Sequence, residues 1–255
     1  MITGRSPDRC AAAAAEASAA DWIAADFADL SQVAALADEF TRRHDRLEVL
    51  VNNAGAVFQR RQLTAEGLEL TFAVNYVAPF LLTTRLLGTL RASTPARIVN
   101  ISSSAHAVGR IDLDDLALAN GYRPYRAYAR SKLANLMFTY ELARRLDGTG
   151  VTANAVHPGL VRTRIGAKGG TLTGIGWSVV QWRYRGLRVE PEAAAQALLR
   201  LACSPDLEGV SGRYFDGEVE AEPSAAARDP NAWSRLWALT EELVARVRLP
   251  ETTSG

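Results

Sequence analysis

Apolar positions along this chain switch repeatedly between two spacings, and the switching lays out its elements. Leu30, Val33, Ala34, Ala37 and Phe40 recur at helical intervals and predict one buried helix face. Leu47-Glu48-Val49-Leu50-Val51 is a near-continuous apolar run, the pattern of a strand covered on both faces. A long helical segment is predicted from about Ala65 to Leu90, followed by a strand, Ile98-Val99-Asn100-Ile101, that runs into Ser102-Ser103-Ser104. A helix around Tyr128 and a strand from Val151 to Val156 come next. Glu190 to Cys203 reads as helix, Gly212 to Phe215 as strand, and Asn231 to Arg248 as a closing helix. At the front, Met1-Ile2-Thr3-Gly4 reads as the end of a strand. Ser6-Pro7 starts a helix with Ser as N-cap and Pro at its first position, and Trp22-Ile23-Ala24-Ala25 is a short strand. Strands alternating with helices predict an α/β fold with a doubly wound parallel sheet and three layers, αβα. No repeat or linker interrupts it, so residues 1–255 are expected to form a single domain.

One segment breaks the pattern. Residues 164–188 carry six glycines, with Trp177 and Trp182 between them. A Gly-rich stretch with aromatics suits a substrate lid. Composition excludes more than it suggests. The 48% apolar and 22% charged content is ordinary for a globular protein. A net charge of +1 gives no electrostatic case for nucleic acid. No run of roughly 18 apolar residues predicts a membrane span. Cys10 and Cys203 lie far apart without metal-type spacing, so they are expected to be free thiols in a reducing, cytoplasmic setting.

Chemistry is concentrated in Tyr128-Ala-Arg-Ser-Lys132. A Tyr and a Lys four apart on a helix point the same way. Seven tyrosines and two lysines in 255 residues predict roughly 0.05 such pairs by accident. A phenol ordinarily titrates near pH 10, and a cation beside it is expected to pull that value down. A three-unit shift would need about 4 kcal/mol of differential stabilisation. The pair reads as a general acid or base tuned toward working pH. No acid or Cys stands at nucleophile spacing from His157, and neither it nor His44 nor His106 is assigned a catalytic role.

Other motifs stand around this pair: Asn52-Asn53-Ala54-Gly55 after the Leu47 strand, Asn75 inside the long helical run, and Ser102-Ser103-Ser104. Downstream comes His157-Pro158-Gly159-Leu160-Val161-Arg162-Thr163. In this order and spacing, the set resembles the short-chain dehydrogenase/reductase family. It looks most like the retinol-dehydrogenase-like branch, given the long gap before Tyr128, Ser131-Lys132-Leu133-Ala134-Asn135, and Ser211-Gly212-Arg213-Tyr214-Phe215.

The resemblance implies a Rossmann-like fold and an NADP(H)-dependent oxidoreductase. Hydride would pass between a nicotinamide and a carbonyl or alcohol carbon of an apolar substrate. Tyr128 would handle the proton, Lys132 the nicotinamide ribose, Ser103 the substrate oxygen (Ser102 and Ser104 being alternatives), and Asn75 a relaying water. Asn53, Ala54 and Gly55 would lie along the cofactor, Asp26 and Phe27 would meet its adenine, and Pro158, Gly159, Val161 and Thr163 its carboxamide. Arg5, at the end of a strand where NAD-type enzymes place an acid, would select NADP(H) over NAD(H) through a 2′-phosphate. Family members often pair through the helices carrying Asn75 and Tyr128, so a homo-oligomer is one implied state and a monomer the other.

One family feature is missing. The usual opening strand, Gly-rich turn and phosphate-binding helix do not occur, and Thr3-Gly4-Arg5 is not that motif. Aligned by its motifs, the chain begins in the second strand of the family fold, which would leave an unpaired gap in the sheet. It reads either as part of a complete enzyme or as a shortened, non-catalytic relative with an interaction or regulatory role. A lyase or epimerase of the extended relatives is a third reading, disfavoured by the short C-terminal part.

Overall fold

The computed structural model describes residues 1–161 and 188–247. The chain opens with β1 (Ile2–Gly4), α1 (Pro7–Glu16) and β2 (Trp22–Ala24). α2 (Leu30–Arg43) leads to β3 (Val49–Asn52). A continuous helical stretch, α3 (Leu70–Ala92), precedes β4 (Ala96–Ile101). α4 (Pro124–Arg145), β5 (Val151–His157) and β6 (Leu160–Val161) follow. The last part holds β7 (Arg188–Val189), α5 (Pro191–Cys203), β8 (Tyr214–Asp216), β9 (Val219–Glu220) and α6 (Pro230–Val244).

Helix starts follow local capping chemistry. The Ser6, Asp29 and Asp229 side chains each accept backbone N–H groups at the heads of α1, α2 and α6. α3 starts at Leu70 rather than near Ala65. Gly67 takes a positive φ of 79° in a turn closed by its N–H to the Thr64 carbonyl, and the Glu69 carboxylate then caps Thr71 and Phe72. By composition α3 is apolar enough to cross a membrane, but 83% of its most apolar window is buried in the protein. It is a core helix.

The main sheet has the order β3-β4-β5-β8-β9. Its first four strands pair in parallel, and β9 folds back antiparallel on β8. The two-residue β9 departs from the parallel pairing expected throughout, and is too short to leave a periodic signal. Side chains alternate across the sheet with the strand period of two. Ile98, Ala153, Ala155 and Tyr214 join the core under α2, α3, α4 and α6. Val99, Ile101, Val156 and Phe215 pack with Ala197 and Leu201 of α5 on the other face. Helices therefore cover both faces, as the three-layer arrangement requires.

β1 and β2 pair only with each other, and among the described residues β3 bonds only β4. No ladder joins the two sheets among these residues. β3 consequently departs from the expected double coverage: Val49 and Leu50 are half-buried and Val51 is 37% exposed. Cys10 is buried and Cys203 exposed, both as free thiols.

Candidate active site

β3, β4 and β5 end on the same side of the sheet, with Asn52 opposite Asn100 and Ile101 opposite Val156. The segments that follow them gather at this carboxyl edge, where open α/β sheets bind ligands. Gly55 borders the centre. A Cβ there would stand 3.6 Å from Asn75 Oδ1 and 3.9 Å from Lys132 Nζ.

Asn75 sits in a π-helical turn, Ala73–Val77, within α3. Such one-residue insertions are frequent at functional sites. Its Oδ1 accepts from Ala56 N at 2.8 Å, while Nδ2 donates to the Ala56 carbonyl and to Ser131 Oγ, both at 3.0 Å. Ser131 in turn donates to the Tyr128 carbonyl at 2.7 Å. Asn75 thus ties the loop after β3 to the first turns of α4.

Lys132 is 4% exposed. Its Nζ donates to the Ile101 carbonyl at 2.9 Å, and Asn135 Nδ2 donates to the same oxygen at 2.9 Å. Both lone pairs of that carbonyl are then engaged, so one face of α4 is locked to the end of β4. Ser102 strengthens the lock by donating to the Lys132 carbonyl at 3.0 Å. Burial pushes the Lys132 amine down to about 8.

The Lys132 Nζ lies 5.6 Å from the centroid of the Tyr128 ring. Burial holds the Tyr128 phenol above its ordinary value and outweighs the nearby Ser103 hydroxyl, which favours the ionised form. The expected lowering of Tyr128 by Lys132 does not hold in this arrangement. Desolvation acts on both groups, and the amine is aimed at a carbonyl rather than at the phenol oxygen.

The three serines separate cleanly. Ser102 is committed to α4, Ser104 is exposed, and Ser103 is the buried serine whose hydroxyl lies near the Tyr128 phenol. Ser103 also caps a short 3-10 helix, Ser104–Val108, accepting from Ala105 N at 3.2 Å.

The outer residues are distributed differently. Asn53 and Ala54 are exposed beside Gly55. Pro158 and Gly159 leave β5 at the same edge, and Gly159 has φ of 88° with Val189 where a Cβ would go. Both conditions demand glycine. Val161 lies in β6, paired with β7, whereas Thr163 and nearly all of the expected 164–188 lid fall outside the described residues. Arg5 is exposed after β1, and Asp26 accepts from Ala28 N at 3.0 Å after β2. Phe27 is a buried core residue, 9% exposed. These three follow the strands of the separate β1–β2 sheet.

Two groups have no role assigned from the sequence. One is Asn135, three residues after Lys132 on the same helix. The other is a buried chain in which Asn52 donates to Asn100 at 2.8 Å, Asn100 to Thr139 at 2.9 Å, and Thr139 to the Asn135 carbonyl at 2.7 Å. Their visible signal is Asn52 and Asn100 inside otherwise apolar strands; Asn135 and Thr139 lie on α4.

The sequence pattern of the short chain dehydrogenase family matches residues 1–171. The chain belongs to this family. Mouse (Mus musculus) retinol dehydrogenase 14 is 43% identical over 86% of this chain and 65% of its own length. The chain therefore spans about two thirds of that relative. A protein of known crystal structure from Mycobacterium paratuberculosis superposes with a TM-score of 0.72 at 31% identity, over 97% of this chain and 84% of the other. The Pseudomonas aeruginosa RhlG/NADP complex superposes with a TM-score of 0.64 at 26% identity, over 84% and 82%. The retinol-dehydrogenase branch and the Rossmann-type sheet expected from the motifs are both found.

Proposed function

We propose that this protein is an oxidoreductase of the CH-OH class, using a nicotinamide cofactor on an apolar carbonyl or alcohol. The observation that carries this is the gathering of Ser103, Tyr128 and Lys132 at the carboxyl edge of the sheet, with Lys132 Nζ 5.6 Å from the Tyr128 ring and beside Gly55. A phenol held protonated by burial is suited to give its proton to a carbonyl oxygen at neutral pH. Ser103 can hydrogen-bond that same oxygen. Lys132 has three donors and gives one to Ile101, which leaves two for ribose hydroxyls beside the glycine at 55. The cofactor supplies the hydride chemistry; these residues bind, orient and protonate.

We take NADP(H) as the preferred form. Exposed Arg5 suits a 2′-phosphate, and RhlG is a relative solved with NADP. The apolar substrate class rests on the retinol dehydrogenases among the relatives. A cytoplasmic setting fits two free thiols.

A second reading, a non-catalytic relative, has one observation in its favour. Among the described residues no Gly-rich helix N-terminus stands ready for a diphosphate. α1 starts with Pro7, which lacks an N–H, and Asp8, which repels an anion. Titration with NADPH and with NADH, followed by turnover of an aromatic aldehyde, separates the two. The oxidoreductase reading expects tighter NADPH binding, and turnover lost by about 10²-fold or more in Tyr128→Phe without loss of cofactor binding. A folded chain that binds neither dinucleotide would sink that reading.

A further inference from the structure

His106 belongs to no motif assigned above, yet it is 4% exposed and sits directly behind the candidate serine. Its Nε2 lies 3.1 Å from the backbone nitrogen of Ser224, and its Nδ1 2.7 Å from the carbonyl oxygen of Ser103. A backbone N–H only donates, so Nε2 must hold a lone pair and the ring proton must sit on Nδ1. The neutral tautomer is thereby fixed by its two partners. The Ser103 carbonyl also accepts from the His106 backbone N–H at 3.0 Å, so one residue grips it twice. The ring stands edge-on to Tyr214 of β8, with centroids 5.1 Å apart at 72°.

We infer that His106 is a positioning residue: in its Nδ1–H form it fixes the Ser103 backbone, and so the hydroxyl that meets Tyr128, and links it to the segment at Ser224. This rests on the oxidoreductase reading only for its catalytic consequence; the hydrogen-bond arrangement stands without it. Ser103 is extended, with φ of −165° and ψ of 154°, lies beyond the end of β4, and without the ring would keep its Oγ bond to Ala105 and the single backbone N–H of residue 106 on its carbonyl. Displacing its carbonyl would swing the hydroxyl away from the phenol.

The titratable groups around the ring are few. Burial disfavours the protonated ring and prevails over the Ser103 carbonyl and Asp216 of β8, which both favour it. Tyr214 of β8 and His157 of β5 are the other titratable neighbours, and both are buried. On the Ser224 side, Glu222 and Arg228 pair with each other at 2.9 Å on the surface. In acid, protonation of Nε2 would set two donors face to face and release the Ser224 link.

NMR of the intact chain tests this. With three histidines in the sequence, His106→Asn identifies the imidazole signal by its loss. The expected result is an Nδ1–H tautomer at neutral pH, with a titration below the ordinary histidine value that moves the Ser103 carbonyl shift in step. His106→Phe keeps the ring against Tyr214 but loses both hydrogen bonds. It should displace the Ser103 carbonyl and Tyr128 ring resonances, whereas Asn, with a donor at the δ position, should restore them. An Nε2–H tautomer at neutral pH, or unchanged Ser103 and Tyr128 signals in the Phe variant, overturns the inference. If the Phe variant does not fold, the wild-type titration alone decides. In turnover, kcat should fall between roughly ten- and a hundredfold in the Phe variant, with partial recovery in Asn and little change in the KM for NADPH. A wild-type chain without turnover counts against the oxidoreductase reading, while the tautomer and the chemical shifts still decide the role of His106.

Discussion

Lys132 shows what burying a single charge costs the fold. Its amine is buried with one described hydrogen bond, and its value is depressed from 10.5 to about 8. A depressed amine means that the unfolded chain binds the proton more tightly. Stability from this group is therefore full above about pH 10.5 and lost as pH falls toward 8. Below that it is a constant cost, about 3 kcal/mol at neutrality. Lys132→Met should raise the thermal midpoint at pH 7 and abolish turnover. The gain should shrink as thermal unfolding is repeated toward pH 10.5; an equal gain at every pH would show that packing, not charge burial, is responsible. The Tyr-Lys pair was legible because its spacing is local to one helix. The directions of the two pKa shifts were not, because desolvation depends on what covers the helix. Phe27 makes the same point in another form: its place after a strand gave no sign that its ring packs into the core.

At the scale of elements, the site depends on backbone irregularities. The π-helical turn directs Asn75 toward the loop after β3, where its amide satisfies both polar groups of Ala56. Asn75→Ala strands these groups and should cost about 2 kcal/mol in denaturant unfolding. No loss of midpoint would argue that water replaces the amide. Gly159 combines a left-handed backbone with Val189 in its Cβ direction, so Gly159→Ala should cost about 1–3 kcal/mol by the same measurement. Asparagine within the long apolar run flagged an irregularity from sequence alone. The kind of irregularity, and the partner on another element, required the packed helices. The head of α3 lies five residues later than periodicity predicts, at Leu70 rather than Ala65, because a glycine turn and a buried Glu69 cap outweigh helix propensity.

For the whole molecule, the lack of a ladder between β1–β2 and β3 among the described residues divides cooperativity. A two-stranded sheet has little stability of its own, and α1 buries only Cys10 and Ala14. By contrast β4 is paired on both edges and buried on both faces. Hydrogen exchange should find the amides of β4 and β5 slowest, with those of β1, α1 and β2 opening at distinctly lower free energy. Equal protection in both regions would mean that the two sheets unfold as one unit.

The sequence alone set the alternation of strands and helices and the local spacing of Tyr128 and Lys132, since these follow from periodicity and short-range geometry, and the resemblance of its motifs pointed to the family. It also marked Ser103, Asn75 and Gly55 as belonging together. Only the tertiary structure decided which serine is left near the phenol once Ser102 is bonded to α4, how Asn135 and the Asn52–Asn100–Thr139 chain brace the site, and that His106 grips Ser103. Each of those depends on a hydrogen bond that folding alone brings into reach, or on which neighbours exclude water, and neither is written in the spacing of a single segment.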